Sequence, residues 1–419
     1  MSDLDHDLDV NAIKADFPLL TSTMAGESHD QLITYLDSAA SSQKPNVVID
    51  TVSDYYRRLN ANVARGVYEL AEASTNAMED ARRSVARFVN APSTNEIVFT
   101  RNATESINLV ANTWGRQNLG AGDVVVLSQL EHHANIVPWQ MLAAEKGFEI
   151  RWIRLDSDGL LDLSDLDRLL VGAKLLSVSA MSNVLGTLTP IPQLVEAAHA
   201  AGAIANIDAC QFVPHVPTDV QAWGADFVSF SAHKMCGPTG VGALWGRMEL
   251  LESIPPFLGG GGMILNVTQD GFSTTDVPQK FEAGTPAIAE IVGFGAACEY
   301  LSNIGMDEVR NHEKVLTTYA LNAFEDRFGG ALTVHGPKDP NLRGGVFSLA
   351  LDMVHPHDLS QVLDQHGVCV RAGHHCAKPL MKVLGVGATA RASVYIYNDE
   401  RDIDALCDAL AAAQAFFAF

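Results

Sequence analysis

The sequence predicts an α/β protein in which a large, mainly parallel sheet is followed by a smaller C-terminal α+β domain. Up to about residue 250, short apolar segments alternate with segments whose apolar residues recur at helical spacing. This alternation is typical of a parallel sheet that helices cover on both faces. Beyond residue 300, a few strands are set among longer helices. We therefore predict an N-terminal arm (1–30) that packs on the small domain, a large domain (31–300) and the small domain (301–419).

Composition and charge restrict the possible functions. The 419 residues are 47% hydrophobic and 19% charged, which is ordinary for a globular protein with a substantial core. A formal net charge of −22 argues against binding to nucleic acid or to an anionic membrane. No apolar run reaches the roughly 18 residues that span a bilayer, and the first residues do not resemble a signal peptide. The six cysteines include no Cys-x-x-Cys pair, so we expect a cytoplasmic protein without disulfides or a zinc site.

The predicted strands of the large domain are short apolar segments. After a short strand at 33–37, they cover residues 96–100, 123–128, 149–155, 174–179, 203–208, 226–231 and 242–245. Helical patterns lie between them; Ile107, Val110, Ala111 and Trp114, for example, follow i, i+3, i+4, i+7 spacing. Ligands of open α/β sheets bind beyond the carboxyl ends of the strands. The residues that directly follow each strand are therefore candidates for a binding site.

The arm and the small domain contain fewer predicted elements. One short helix is expected near residues 10–17. Beyond residue 300 we predict a helix, a strand at 346–351, a helix at 358–366, strands at 368–371 and 392–397, and a final helix. Gly367 is expected to end the second of these helices.

Two neighbouring strands of the large domain end at charged residues. Asp208 closes the segment 203–208, and His233 and Lys234 follow the apolar segment 226–231. A lysine at the end of a buried strand is costly to desolvate unless it is paired or chemically used; otherwise it simply reaches out to solvent. We predict that Asp208 and Lys234 lie at the same edge of one sheet. A lysine for an aldehyde and a carboxylate for a pyridinium nitrogen are groups that pyridoxal phosphate requires.

A helix that begins after the strand at 96–100 offers a phosphate site. Asn102 can cap this helix, with Glu105 completing a capping box, and Thr104 and the free amides would then bind an anion. A plain helix cap is the alternative. A P-loop is excluded, because Gly-x-x-x-x-Gly-Lys-Ser/Thr does not occur around Lys234.

A cysteine-containing loop follows the strand at 368–371. In Ala372-Gly373-His374-His375-Cys376-Ala377-Lys378-Pro379, the thiol has electropositive neighbours, including Arg371, that favour a thiolate. An incidental loop cysteine is the alternative. The paired histidines His132 and His133, which follow the strand at 123–128, do not have the spacing of a complete metal site.

Three motifs together identify a family. They are Ser231-Ala232-His233-Lys234, Glu131-His132-His133-Ala134-Asn135-Ile136-Val137-Pro138-Trp139 and Arg371-Ala372-Gly373-His374-His375-Cys376-Ala377. From about residue 30 to its end, the chain resembles the group II (SufS-like) cysteine desulfurases. These are class V aminotransferase relatives among the fold type I pyridoxal-phosphate enzymes, so the resemblance implies that fold and that cofactor.

The resemblance also implies a role for each site residue. Lys234 resembles the lysine that forms a Schiff base with the cofactor, His132 the histidine that stacks on its ring, and Cys376 the nucleophile that receives sulfur. The other implied roles are Asp208 at the pyridinium, Gln211 and Asn183 at the cofactor hydroxyl and the substrate, Thr104, Ser231 and His233 at the phosphate, Thr285 from the other subunit of a homodimer, and Arg391 with nearby Arg371 at the substrate carboxylate.

The sequence departs from the family pattern in three places. Ala64 and Tyr68 stand where the family often has histidines in His-Arg-Gly-x-His, and Ala372 and Lys378 replace a usual threonine and a common glutamine. None of these changes removes a reacting atom.

The implied activity is conversion of L-cysteine to L-alanine, with sulfur passing to Cys376 and then to a SufU- or SufE-like acceptor for iron–sulfur cluster assembly. The alternatives are a selenocysteine lyase, another class V enzyme such as an aminotransferase, or an inert scaffold. Cys376 argues against an aminotransferase. Retention of Lys234, Asp208, His132, Arg391 and Cys376 argues against a scaffold.

Overall fold

The computed structural model describes residues 8–21, 33–64 and 66–418. The described residues include neither 1–7 nor 22–30, so the predicted arm falls partly outside them. Arg65, between Ala64 and Tyr68 in the segment that differs from the family pattern, also lies outside the described residues.

A seven-stranded mixed sheet forms the centre of the molecule. In spatial order its strands are Ile97–Thr100, Gly242–Gly246, Phe227–Ser231, Ile204–Asp208, Ala173–Ser179, Val124–Ser128 and Glu149–Ile153. The strand Gly242–Gly246 runs antiparallel to both of its neighbours, and the remaining pairs are parallel. The predicted large, mainly parallel sheet is thus confirmed, with strand ends shifted by one or two residues.

Alternating side chains of the central strands are buried on opposite faces of the sheet. In Val124–Ser128, Val124 and Val126 belong to one hydrophobic cluster, and Val125 and Leu127 to another. Burial on both faces explains why these strands are continuous apolar runs. Up to residue 304, the helices of the described chain are Val10–Ala15, Pro18–Thr21, Asn46–Asp54, Glu69–Phe88, Ala103–Val110, Arg116–Asn118, Val137–Lys146, Leu166–Leu170, Ile191–Ala200, Val220–Trp223, Met248–Ser253 and Ile288–Ile304.

A separate antiparallel sheet lies in the C-terminal part of the chain. Its order is Leu332–His335, Val346–Leu351, Thr389–Ser393 and Arg371–Gly373. The associated helices are Met306–Phe328, Pro356–Gln365, Lys378–Val383 and Glu400–Phe417. The predicted small α+β layout is present, and the strand Leu332–His335 was not predicted.

Two predicted C-terminal strands need correction. The strand expected at 392–397 is Thr389–Ser393, because the chain turns at Tyr395, whose N–H donates to Asn398 Oδ1 (2.9 Å). The strand expected at 368–371 is two strands. Val368–Cys369 pairs in parallel with Thr34–Tyr35, whereas Arg371–Gly373 pairs with Thr389–Ser393. The chain changes its pairing partner between these two segments, so the segment predicted as one strand contains parts of two.

The described part of the arm contacts the end of the chain. The Lys14 ammonium lies 3.3 Å from the Asp402 carboxylate, and the Phe17 ring packs edge-on against Tyr397 at a centroid distance of 4.8 Å. The first helix ends at Ala15, two residues earlier than predicted. Nowhere in the described ranges does a helix combine the length and apolarity needed to cross a bilayer.

Candidate active site

A cavity of about 230 Å³ opens at the carboxyl ends of the parallel strands. Eleven of the twelve predicted site residues line it, and the twelfth, Thr285, does not. The lining residues among those predicted are Thr104, His132, Asn183, Asp208, Gln211, Ser231, His233, Lys234, Arg371, Cys376 and Arg391. Residues that are far apart in the sequence therefore meet at one place, where the strand ends of an open α/β sheet bind ligands.

Lys234 and Asp208 follow adjacent strands. Asp208 pairs with Ser229 in the parallel ladder, and Lys234 ends the 3₁₀ turn Ala232–Lys234 that continues from Phe227–Ser231. The carbonyl of His233 accepts from Ser42 N and from the half-buried Lys44 ammonium, each at 3.0 Å, which fixes this turn. The predicted position of Lys234 and Asp208 at one sheet edge is confirmed.

The Asp208 carboxylate is buried at the end of its strand. It accepts from the Cys210 N–H at 3.0 Å. Burial raises the pKa of Asp208, and the Cys210 N–H and the positive charge of Lys234 oppose that change. A cationic ligand group beside this carboxylate would offset its desolvation and favour the ionised form.

The helix Ala103–Val110 directs its N-terminus at the cavity. The Asn102 side chain accepts from Glu105 N (3.0 Å), and Ser231 Oγ accepts from Ala103 N (2.8 Å). The Glu105 carboxylate accepts from Arg101 N instead of Asn102 N, so the predicted capping box is only half formed. Thr104, in the first turn, lines the cavity, which is the geometry of an anion site.

A buried carboxylate holds the segment that carries His132. Glu131 accepts from the Ser128 hydroxyl, from Ser179 N (3.0 Å) and Oγ (2.6 Å), and from Asn135 Nδ2 (2.7 Å). His132 Nδ1 accepts from Ala134 N at 3.1 Å. Burial and the positive charge of Lys234 lower the pKa of His132 to about 3, so its imidazole is a neutral ring facing the cavity.

The Arg391 guanidinium is buried, and three of its nitrogens have different environments. Nη2 donates to Asp37 Oδ1 and Nη1 to the Asn183 carbonyl, each at 2.9 Å. Nε has no partner among the described residues. Asp37 was not predicted as a site residue, although it closes the short predicted strand at 33–37, just as Asp208 closes the segment 203–208.

The loop around Cys376 has two consecutive residues with left-handed backbone. His375 has φ 51° and Cys376 has φ 55°. Asn183 Nδ2 donates to the His375 carbonyl at 2.8 Å, and the His375 ring contacts Thr389 Oγ1 at 2.9 Å. His375 also lines the cavity and was not predicted as a site residue. Cys376 is half-buried and faces the cavity that contains Lys234.

Thr285 lies apart from this cavity. It is exposed and lines a second cavity of about 570 Å³, together with Glu105 and Leu109. The helix Ala103–Val110 lies between the two, because Ala103 and Thr104 line the first cavity. Within one chain, Thr285 is therefore separate from Lys234.

The residues that differ from the family pattern lie in different surroundings. Ala64 has φ 70° and donates its N–H to Thr75 Oγ1, and Tyr68 is exposed. Ala372 lies in the strand Arg371–Gly373, and the main-chain N–H of Lys378 donates to His133 Nε2 at 2.9 Å. Within the ranges that the structure describes, no group of three or more His, Cys, Asp or Glu residues could hold a metal ion.

Comparisons with known proteins agree on one family. The family model Aminotransferase class-V matches residues 34–406. The chain is 48% identical over 423 residues to a probable cysteine desulfurase of Streptomyces coelicolor, which covers 100% of both chains. It is 46% identical over 426 residues to a cysteine desulfurase of Haloferax volcanii, which covers 99% of both.

Solved structures give the same result. The Escherichia coli cysteine desulfurase CsdA matches with a TM-score of 0.89 and 36% identity, covering 99% of this chain and 100% of that one. The apo cysteine desulfurase of Thermococcus onnurineus matches with a TM-score of 0.91 and 35% identity, covering 100% and 99%. The predicted resemblance to cysteine desulfurases of the class V family is thus confirmed, and this chain belongs to the class V aminotransferase family, whose members include these cysteine desulfurases.

Proposed function

We propose that this protein is a pyridoxal-phosphate-dependent cysteine desulfurase of group II. It would convert L-cysteine to L-alanine and receive the sulfur as a persulfide on Cys376. The observation that carries the proposal is the meeting of Lys234, Asp208 and Cys376 at one cavity. An amine, a carboxylate and a thiol at one site fit this chemistry, and relatives named cysteine desulfurase at 43–48% identity support it.

The residues present fit the cofactor. Gln211 Nε2 donates to the Ala39 carbonyl (2.7 Å), whereas its buried Oε1 has no partner in the described chain. A buried acceptor without a partner indicates a missing donor, and a cofactor hydroxyl would supply one. Asp208 would hold the pyridinium N–H, His132 would stack on the ring, and Lys234 would bind the aldehyde. Thr104, Ser231 and His233 would bind the phosphate at the helix N-terminus.

The substrate carboxylate would bind Arg391, with Arg371 and Asn183 beside it. Arg391 Nε is the buried donor of this site that lacks a partner in the described ranges. A carboxylate accepting from it would satisfy that donor and add a charge-assisted hydrogen bond. Arg371, which is exposed at the cavity edge, would attract the anionic substrate.

The chemistry of sulfur transfer balances with the groups on the chain. Pyridoxal phosphate, when bound, supplies the electron sink for bond breaking at the amino acid. The Lys234 amine, once free, would take the proton from the substrate Cα. The Cys376 thiolate would then attack the substrate sulfur, so that an S–S bond forms as the C–S bond breaks. The electron pair stays with carbon, which takes up a proton, and the products are alanine and a persulfide on Cys376.

The persulfide then needs an acceptor. We propose that a thiol of a small SufU- or SufE-like protein attacks the outer sulfur, which restores the Cys376 thiol and moves the sulfur towards iron–sulfur cluster assembly. Transfer to a protein in a reducing compartment fits the six unpaired cysteines of the chain, and we propose a cytoplasmic location.

We propose that two copies share the site, with Thr285 of each reaching the phosphate of the other. The exposure of Thr285 and its separation from Lys234 within one chain support this arrangement. We also propose the division into an arm (1–30), a large domain (31–300) and a small domain (301–419). Mixing Lys234→Ala with Thr285→Ala subunits tests the shared site, because each heterodimer should contain one intact site and regain activity. A fully active monomer would contradict it.

The central experiment measures alanine and sulfide release from L-cysteine by the cofactor-loaded protein, with Lys234→Ala as the matched control. The unmutated protein should release alanine, and borohydride reduction should fix the cofactor on the peptide that contains Lys234. Lys234→Ala should show neither result. Pyruvate or an amino-group transfer product in place of alanine would overturn the assignment in favour of another class V activity.

A further inference from the structure

Besides the bond from Asn183 to the His375 carbonyl, the Cys376 loop contacts the large-sheet part of the chain through His133. The main-chain N–H of His133 donates to the Cys376 carbonyl at 2.7 Å, and the main-chain N–H of Lys378 donates to the ring Nε2 of the same histidine at 2.9 Å. These contacts join positions more than 240 residues apart and lie on either side of the nucleophile. His133 lies in the 3₁₀ turn His133–Asn135, which the Glu131 network fixes through Asn135.

The loop needs such contacts, because its backbone is unfavourable without them. His375 and Cys376 both adopt left-handed φ angles, which non-glycine residues rarely do in succession. Within the loop, Cys376 N donates to His374 Nδ1 (3.2 Å) and Ala377 N to the His374 carbonyl (2.9 Å). These local bonds shape the turn but do not fix it relative to Lys234; the bonds to His133 do so on the Cys376 side.

We propose that His133 is a positioning residue for the proposed reaction, in which its neutral ring holds the Cys376 loop closed by accepting the Lys378 N–H, and that protonation of this ring releases the loop. The expected effect on the reaction rate rests on the proposed function, whereas the contact between His133 and Lys378 does not depend on it. Nε2 accepts a hydrogen bond, so the ring proton must lie on Nδ1. A second proton would place an N–H against the Lys378 N–H and abolish the contact.

The surroundings of His133 favour the neutral ring at neutral pH. Burial lowers the pKa of His133, and positive charge on His374 and Lys378 lowers it further. The His374 ring lies 5.7 Å from the His133 ring and the His132 ring 6.3 Å. Among the described residues, the charged neighbours that shift the pKa of His133 are His374 and Lys378, and both are basic. The contact should therefore hold near neutrality and be lost in mild acid.

Hydrogen exchange tests the contact without any need for turnover. In the holoenzyme, the peptide that contains residues 374–378 should exchange about tenfold faster in His133→Ala than in the unmutated protein, as expected for loss of one hydrogen bond. His133→Gln should restore protection, because its side-chain oxygen can reach the position of Nε2. Lys378→Gln should also keep protection, since the bond uses the main-chain N–H. Equal exchange in His133→Ala and the unmutated protein would overturn the proposal.

The pH dependence of hydrogen exchange tests whether protonation of His133 controls the position of the Cys376 loop. As the pH falls from neutrality to well below 6.5, the ordinary pKa of histidine, protection of this peptide, corrected for intrinsic exchange, should decrease in the unmutated protein and stay constant in His133→Gln. The rate of persulfide formation should follow the same pattern, while the spectral change on adding cysteine should be unaffected. A pH-dependent loss that is identical in His133→Gln would overturn the role of protonation. If no alanine forms at all, the proposed function fails, and the exchange measurements still decide the contact.

Discussion

Arg391 and Asp37 form an ion pair at the edge of the cavity, with Nη2 2.9 Å from Oδ1. The arginine is 1% exposed and the aspartate 24%. Burial lowers the pKa of Arg391, and Asp37 opposes this change. Asp37 therefore both orients the guanidinium and stabilises its charge, and it leaves Nε free for a ligand.

Asp37→Ala should weaken binding of the substrate. Without the carboxylate, the guanidinium loses one of its two anchors, and we expect the KM for cysteine to rise about tenfold, as for one hydrogen bond to a charged group. Asp37→Asn retains an acceptor and should have a smaller effect. Steady-state kinetics of both variants provide the measurement, and an unchanged KM in Asp37→Ala would show that Arg391 is oriented by the Asn183 carbonyl alone.

Cys376→Ala should separate binding from sulfur transfer. The cofactor and substrate contacts of Lys234, Asp208 and Arg391 do not involve the thiol, so the spectral change on adding cysteine should persist. Turnover to alanine should fall by orders of magnitude, because the removed nucleophile acts only after substrate binds.

Peptide mapping of the unmutated protein after reaction with cysteine should place the extra sulfur on Cys376. Cys210, which lines the same cavity, is the control position, and burial raises the pKa of its thiol. Undiminished turnover in Cys376→Ala would contradict the proposed sulfur transfer.

Glu131→Gln should destabilise the fold. Four donors converge on the Glu131 carboxylate, and a carboxamide would direct its own N–H groups at some of them. We expect the free energy of unfolding to fall by about 1–3 kcal/mol, the usual result of leaving a buried donor unsatisfied. Glu325→Gln, on an exposed position of the helix Met306–Phe328, is the matched control. Equal urea midpoints for the two variants would argue against the network.

The pH dependence of stability should change in His375→Asn. Burial and the charges of Arg391 and Arg371 lower the pKa of His375 from 6.5 to about 3. Below pH 6.5 the His375 side chain is protonated in the unfolded chain, whereas in the folded protein it stays neutral down to about pH 3. This group therefore lowers the free energy of unfolding as the pH falls from 6.5 to about 3. The slope amounts to about 1.4 kcal/mol per pH unit for one proton.

Asparagine removes this titration and tolerates a left-handed backbone. Urea unfolding between pH 7 and about pH 5 should therefore show a shallower decrease in His375→Asn than in the unmutated protein. Parallel curves would indicate that His375 takes up its proton in the folded state.

The sequence predicts the large sheet and the meeting of Lys234 with Asp208, because both follow from local information. Apolar runs mark strands that are buried on both faces, and parallel strands bring their carboxyl ends to one edge. Contacts that depend on distant pairing were missed. Asp37 reaches Arg391 because Thr34–Tyr35 pairs with Val368–Cys369, and no local pattern specifies that register.

The same reason explains the errors in the small sheet. The segment at 368–371 is apolar up to Val370, and nothing in it marks the point where the chain leaves Thr34–Tyr35 and joins Thr389–Ser393. His375 was overlooked because a histidine in a polar loop resembles any surface residue. Its burial results from Asn183 and Thr389, which the fold brings from elsewhere.

The left-handed backbone at His375 and Cys376 also restricts which substitutions can stabilise this protein without slowing sulfur transfer. His375→Gly would accept φ 51° at no steric cost and would be an obvious choice in a stabilisation campaign. The same change would widen the range of conformations open to the adjacent thiol and would remove the contact with Thr389. Relief of the backbone strain would therefore come with a lost contact and a less restricted thiol, so His375→Gly should transfer sulfur more slowly.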